Sequence, residues 1–77
     1  MKLVNFLSYT VTNREIRTEK STGGHIRGTI EEAMQISRMH LGLPVSLVFN
    51  DIYITVDANT NINACVDNYM SKFNQTA

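Results

Sequence analysis

The sequence has no tryptophan, a single cysteine and a single proline among its 77 residues. One cysteine, Cys65, excludes an internal disulfide, and two histidines distant from it in the chain do not match the ligand spacing of a structural zinc site. Chains of this size often depend on such cross-links. We therefore predict one small domain over residues 1–77, with no metal and no cofactor, stabilised by an apolar core or by association.

The chain also lacks net charge, because seven basic and seven acidic side chains leave a formal net charge of zero. The chain thus lacks the excess positive charge that drives nonspecific binding to nucleic acid. It has no apolar run long enough for a membrane-spanning helix and no recognisable signal peptide, so we expect a cytoplasmic protein without a membrane partner. The positive side chains nevertheless concentrate within residues 14–27, as Arg14, Arg17, Lys20 and Arg27.

The clearest local pattern is PVSLVFNDIYITVD, residues 44–57. It predicts a β-hairpin with Asn50 and Asp51 as a two-residue turn, because both residue types tolerate the positive φ of a type I′ turn. A one-residue slip would move every apolar side chain to the wrong face, so the register is well specified. The apolar face carries Val45, Leu47, Phe49, Ile52, Ile54 and Val56, and the opposite face carries Ser46, Val48, Tyr53 and Thr55.

Two segments have the periodicity of amphipathic helices. The first is predicted to begin at Thr29, which would form a capping box with Glu32, and to end at Gly42, where a positive φ is required. Its apolar positions are Ile30, Ala33, Met34, Ile36, Met39 and Leu41. The second helix follows N-cap candidates at residues 59–61 and should cover the hairpin with a stripe of Ile62, Cys65, Val66, Tyr69, Met70 and Phe73.

The N-terminal residues favour β-structure, with one strand over residues 2–12 and a short second strand within 14–20, around Ile16. The order β(β)αββα predicts an α+β fold: a three- to four-stranded, largely antiparallel sheet with two helices on one face. If the first strand lies beside residues 45–49, the first helix is a crossover connection. The other face of the sheet, which would include Val4 and Phe6, then has no helix to cover it.

The stretch EKSTGGHIRGTIEE, residues 19–32, looks most like a functional motif. A P-loop places its lysine and Ser or Thr after the glycines, whereas Lys20, Ser21 and Thr22 precede them here. Two interpretations remain for this stretch. It is either a plain surface loop or a binding loop in which Lys20, His25 and Arg27 contact an anionic partner near a helix N-terminus.

No set of residues predicts catalysis, and we expect no enzymatic activity. Cys65 lies on an apolar stripe, where cysteine acts as a small hydrophobic residue, and His25 and His40 have no partners at triad spacing. Two tyrosines are candidates for binding: Tyr53 on the uncovered sheet face, and Tyr9 on a strand that adjoins this face. Protein contact, a structural role and stacking on single-stranded bases all stay open for them.

The segment LVFNDIYITVDANTNINACVDNYMSKF, residues 47–73, resembles the hairpin-then-helix pattern of small bacteriophage and prophage proteins. The whole chain is similar in size to phage-encoded anti-CRISPR proteins. The resemblance implies a protein that works in a bacterial host by binding and blocking a host protein or ribonucleoprotein complex. Two alternatives stay open: a nucleic-acid-binding accessory protein that uses the basic loop 14–27, and a structural homodimer. The candidate contact residues are Tyr9, Arg14, Arg17, Lys20, His25, Arg27 and Tyr53.

Overall fold

A computed structural model describes residues 3–19 and 24–76 and has the predicted α+β fold. The elements are β1 (Tyr9–Val11), β2 (Ile16–Thr18), α1 (Ile26–Met39), β3 (Val45–Phe49), β4 (Ile52–Val56) and α2 (Ile62–Thr76). The strands form one sheet in the order β1-β2-β3-β4. Two antiparallel hairpins are joined side by side through a parallel pairing of β2 with β3, so the sheet is mixed.

The β3–β4 hairpin confirms the predicted register. Phe49 pairs with Ile52 next to the turn, and the pairing continues without a bulge to Val45 and Val56. The two turn residues have φ values of 50° at Asn50 and 66° at Asp51, as a type I′ turn requires. Local turn chemistry and the alternation of apolar side chains therefore agree, and the hairpin follows directly from its sequence.

The N-terminal strand differs from its prediction in length and in position. Only residues 9–11 form a strand, and this strand lies at the edge of the sheet. The predicted place beside β3 belongs to β2, where Ile16 pairs with Val45. Ile16 brings a fully buried side chain to the central row of the core, which explains why β2 takes the inner position. Helix α1 is then the crossover connection between β2 and β3.

The predicted start of α1 was wrong. The helix begins at Ile26, and His25 occupies the N-cap position without a side-chain capping bond. The Thr29 hydroxyl donates to the carbonyl oxygen of His25, one turn earlier in the chain, at 2.9 Å. Glu32 does not complete a capping box, because its carboxylate is buried and accepts hydrogen bonds from the N-terminal segment instead. Long-range hydrogen bonds have replaced the local ones that the capping box would form.

The apolar stripe of α1 is buried up to its C-terminal end, where burial stops. Gly42 has a φ of 76° as predicted, and its N–H donates to the carbonyl of Ser37. Met39 and Leu41 lie outside the core, and Leu41 is 99% exposed. The first four positions of the predicted stripe are buried: Ile30, Ala33, Met34 and Ile36. Helix α2 begins where predicted, with the Asn61 side chain accepting from the N–H of Ala64.

Both helices pack on one face of the sheet. The buried core joins the inner faces of α1, α2 and the sheet, and includes Phe6, which we had assigned to the open face. Phe6 precedes the regular strand, so the strand alternation does not set the direction of its side chain. Within residues 3–19 and 24–76, no helix is long and apolar enough to cross a membrane. Because both helices pack on the same face of the sheet, the other face has no helix against it.

Candidate functional site

The helix-free face of the sheet, which we call the open face, is built from alternate residues of the four strands. One row across the sheet runs through Thr10, Arg17, Ser46 and Thr55, which are successive cross-strand partners. The next row of the hairpin is the directly opposite pair Val48 and Tyr53. Val48 is 49% exposed and Tyr53 is 60% exposed, so this face presents apolar and aromatic surface to its surroundings.

A groove of about 740 Å³ lies against the open face. Its wall continues from Arg17 of β2 and Glu19 just after this strand, across Val48 and Tyr53, to the hairpin turn at Asn50. Ligand-binding clefts have volumes in this range, although they bury most of a small ligand, whereas this groove is open along one side. Its shape is better suited to a protruding side chain or loop of a macromolecule than to an enclosed small molecule.

Among the described residues of the strands, Arg17 places a cation on the open face, and this cation is already paired. Its Nε donates to the Glu15 carboxylate at 2.6 Å, while the Arg17 side chain remains 76% exposed. The hydrogen bond from Arg17 to Glu15, and then the charge of Glu15, raise the pKa of Arg17. An exposed pair of this kind contributes little stability. Its main effect is to offset the positive charge of Arg17 on this face.

The structure separates the remaining members of the predicted basic segment. Arg14 lies in the turn between β1 and β2, and its N–H donates to the Thr12 hydroxyl. Arg27 lies in the helical layer, where its Nη2 donates to Asn63 Oδ1 of α2 at 2.7 Å. His25 stands at the N-cap of α1. Lys20 lies outside the described residues. The chain passes from sheet to helix within this segment, so Arg17 and Arg27 belong to different layers.

The two candidate tyrosines also lie on different faces. Tyr53 is on the open face as predicted, whereas Tyr9 faces the helical side in the row of Thr18 and Leu47. The Tyr9 hydroxyl is 3.1 Å from Nε2 of His40, and the two rings meet edge to face at 5.5 Å. Tyr9 therefore links β1 to the end of α1, and the open face contains one of the two tyrosines.

A second groove lies between β4 and α2, and no sequence pattern predicted it. Its strand side is formed by residues 52–55, and its helix side includes Cys65, Tyr69 and Lys72. Partial burial raises the pKa of the Cys65 thiol, and the nearby charge of Lys72 lowers it to a smaller extent. The thiol is thus less ionised than an ordinary cysteine, which opposes a nucleophilic role. The sequence feature that could have indicated an exposed strand edge here is the run IYITV, which contains no charged residue, glycine or proline.

The comparisons with known proteins do not place the chain in a family. No protein-family model, no curated protein and no solved structure matches it. Among the described residues, no group of three or more His, Cys, Asp or Glu side chains could hold a metal ion. The functional conclusion therefore depends on the geometry of the open face and of the strand edge next to it.

Proposed function

We propose that this protein is a small, non-enzymatic binding protein whose open face contacts a host protein or ribonucleoprotein complex and blocks it. The observation that supports the proposal is the exposed pair Val48 and Tyr53 on a helix-free sheet face. Aromatic and apolar side chains with little free charge are typical of the centre of a protein interface. A tyrosine beside a groove can also anchor a contact by filling or bordering a pocket.

Protein contact is favoured over nucleic-acid binding by the charge of this face. Sheets that stack on single-stranded bases combine their aromatic residues with unpaired lysine or arginine. On the open face, Arg17 is paired with Glu15, and Arg27 belongs to the opposite layer. The basic segment is therefore not one continuous surface among the described residues. Nucleic-acid binding is retained as an outcome of the test.

The proposed mode of action is steric occlusion, as in the anti-CRISPR type of phage protein that the sequence resembles. A partner surface covered by the open face would be unavailable to its own substrate or subunit. This action requires no chemistry by the bound protein. It also predicts that inhibition of the partner and binding to it are lost together.

The first experiment is a tagged capture from bacterial lysate, with and without nuclease, using wild type, Val48→Lys and Gln35→Lys. Val48→Lys places a charge at the centre of the open face, whereas Gln35→Lys adds the same charge at an exposed position of α1. We expect a discrete protein partner that survives nuclease treatment, is retained by Gln35→Lys and is lost with Val48→Lys. Equal capture by both variants would show that the open face is not the contact surface. Recovery of nucleic acid alone would support the alternative function.

Blocking is tested separately, by producing the same three proteins in a bacterium whose CRISPR system targets a plasmid. Wild type and Gln35→Lys should restore plasmid transformation, and Val48→Lys should not. If all three proteins leave interference unchanged while the capture result holds, the partner belongs to another host system. The anti-CRISPR reading would then be wrong, although the binding function would stand.

A further inference from the structure

Strand β4 has one edge without a partner strand. It lies at the end of the sheet, and β3 is its sole neighbour among the described strands. In a two-residue hairpin, the residues that flank the turn form a hydrogen-bonded pair, and such pairs then alternate along the strands. Phe49 and Ile52 flank the turn, so Ile52, Ile54 and Val56 bond to β3. The main-chain groups of Tyr53 and Thr55 consequently point outward from the sheet.

Within its five residues, β4 lacks the usual features that prevent strand addition. Natural edge strands are protected by charged residues, proline, bulges or very short length. Strand β4 has five residues, Ile-Tyr-Ile-Thr-Val, and its pairing with β3 contains no bulge. Its outward groups are two N–H donors and two carbonyl acceptors, which belong to Tyr53 and Thr55. This is the pattern that an added strand requires.

The groove beside α2 runs along this same edge. Four consecutive residues, 52–55, line the groove, although alternate side chains of a strand point to opposite faces. A groove can border all four if it follows the edge of the strand. Cys65 and Tyr69 form part of its helix wall, one helical turn apart. An extended segment that paired with β4 would therefore place every second side chain against α2.

Charge at the two ends of β4 decides which kind of segment fits. Asp51 precedes the strand, Asp57 follows it, and both are exposed. In the antiparallel pairing of two copies that uses all five residues, Ile54 lies opposite itself. Asp51 of each copy, in the turn just before the strand, then comes close to Asp57 of the other, which follows the strand, and like charges brought together across a strand pair are unfavourable. A segment with basic residues at its two ends has the complementary charge.

We propose that β4 receives an extended segment of a partner protein as a fifth, antiparallel strand, with apolar residues at alternate positions and basic residues at both ends. This inference deepens the proposed function by naming the part of the partner that binds. Tyr53 connects the two surfaces, since its side chain lies on the open face and its main chain lies on the edge. The apolar side chains of the segment occupy the groove beside α2.

The probe for this inference is the capped peptide Lys-Val-Thr-Val-Thr-Val-Lys. In antiparallel pairing with residues 52–56, its two lysines lie close to Asp51 and Asp57 at the ends of the strand, and its valines lie on the side of α2. We expect its addition to shift the backbone amide resonances of Tyr53 and Thr55 and to slow their hydrogen exchange. It should also slow the labelling of the Cys65 thiol, which lies in the groove. The same peptide with glutamate in place of lysine should bind roughly tenfold more weakly.

A matched pair of proline variants separates strand addition from nonspecific contact. Thr55→Pro removes an N–H that points outward, so the bonds between β3 and β4 are kept, and proline is tolerated on edge strands. Val11→Pro makes the equivalent change on the other edge of the sheet, in β1, where Val11 is also an outward-facing position. Thr55→Pro should weaken peptide binding by roughly tenfold or more, and Val11→Pro should not change it.

The inference is overturned if the peptide does not bind, if its shifts centre away from β4, or if Thr55→Pro binds it as well as wild type. It is also overturned if sedimentation shows a wild-type dimer that Thr55→Pro dissociates, because the second copy would then be the occupant. Val48→Lys distinguishes the two proposals in the lysate capture. Loss of the partner with Val48→Lys but not with Thr55→Pro would leave the open face as the contact and remove strand addition.

Discussion

Glu32 has a role in the structure that differs from its predicted place in a capping box. Glu32 is 7% exposed as a residue, and its carboxylate accepts hydrogen bonds from the main-chain N–H groups of Val4 and Asn5 at 3.0–3.2 Å. The Asn5 side chain adds a longer bond to the same carboxylate. Asn5 also lies close to Gly24, where a Cβ atom would approach its Oδ1 to 2.6 Å. One buried charge thus holds the N-terminal segment against α1.

Replacement of Glu32 by alanine should lower the free energy of unfolding by on the order of 2 kcal/mol, because partly buried N–H groups lose a charged acceptor. Urea unfolding followed by circular dichroism measures the change. Glu31→Ala is the control, since Glu31 is the adjacent, exposed carboxylate of the same helix. Equal effects of the two substitutions would show that helix propensity, and not the buried hydrogen bonds, determines the loss.

The Cys65 thiol predicts a loss of stability at alkaline pH. Burial raises its pKa in the folded protein, so the folded state holds the thiol proton more tightly than the unfolded state. The resulting contribution is complete below about pH 9 and is lost as the pH rises through the folded pKa. The free energy of unfolding of wild type should therefore fall more steeply above this pH than that of Cys65→Ser. Parallel pH profiles for the two proteins would contradict the burial effect.

At the scale of the element, the β3–β4 hairpin depends on two turn residues with different tasks. Asn50 and Asp51 both have positive φ, but Asn50 also donates from Nδ2 to the Tyr69 hydroxyl at 2.8 Å. Tyr69 in turn contacts Phe49 edge to face and stacks on Phe73. Asn50 therefore connects the turn to α2, whereas Asp51 is exposed and, within the hairpin itself, supplies turn geometry.

Glycine at position 51 should stabilise the protein, because glycine accepts positive φ without steric cost and Asn-Gly is the preferred type I′ pair. Asp51→Gly is expected to raise the free energy of unfolding by up to about 1 kcal/mol. Asn50→Gly should raise the free energy of unfolding by less, or should lower it, because the substitution removes the hydrogen bond to Tyr69. Thermal and urea unfolding of both variants measure the difference. A larger gain at position 50 would show that the Asn50–Tyr69 bond contributes nothing.

At the scale of the whole molecule, the fold divides the chain into a covered and an open side. Two helices on one sheet face leave the Val48–Tyr53 pair and the edge of β4 as neighbouring surfaces. An exposed sheet face beside an unprotected edge usually favours self-association. The aspartates at the two ends of β4 oppose it, because the full-length pairing of two copies would bring them close together.

Removal of these two charges should promote dimerisation. In Asp51→Asn/Asp57→Asn, asparagine keeps the turn conformation at position 51 and the acceptor that position 57 offers to the N–H of Asn59. Two unfavourable charge pairs are lost, so we expect the dissociation constant of the dimer to fall by about tenfold. Sedimentation velocity over a range of concentrations measures this change. Unaltered association of the double variant would mean that the aspartates do not protect the edge.

The candidate site could be predicted from the sequence only in part. The position of Tyr53 on an uncovered face follows from strand alternation around Asn50-Asp51, which is local information. The position of Tyr9 does not, because it depends on which strands become neighbours in the sheet. The basic segment 14–27 looked continuous in the sequence, but the crossover from β2 to α1 places Arg17 and Arg27 in different layers.

Local sequence was enough to predict the hairpin, the start of α2, the positive φ of Gly42 shortly after α1 ends at Met39, and the α+β class, because periodicity, turn residues and caps act over a few neighbours. Only the tertiary structure decided the order of the strands, the buried role of Glu32 and the groove beside β4. Each of these depends on contacts between residues far apart in the chain, such as Glu32 with Val4 and residues 52–55 with Cys65. These contacts depend on the packing that buries Ile16 together with the apolar side of the hairpin. No local sequence pattern specifies this packing.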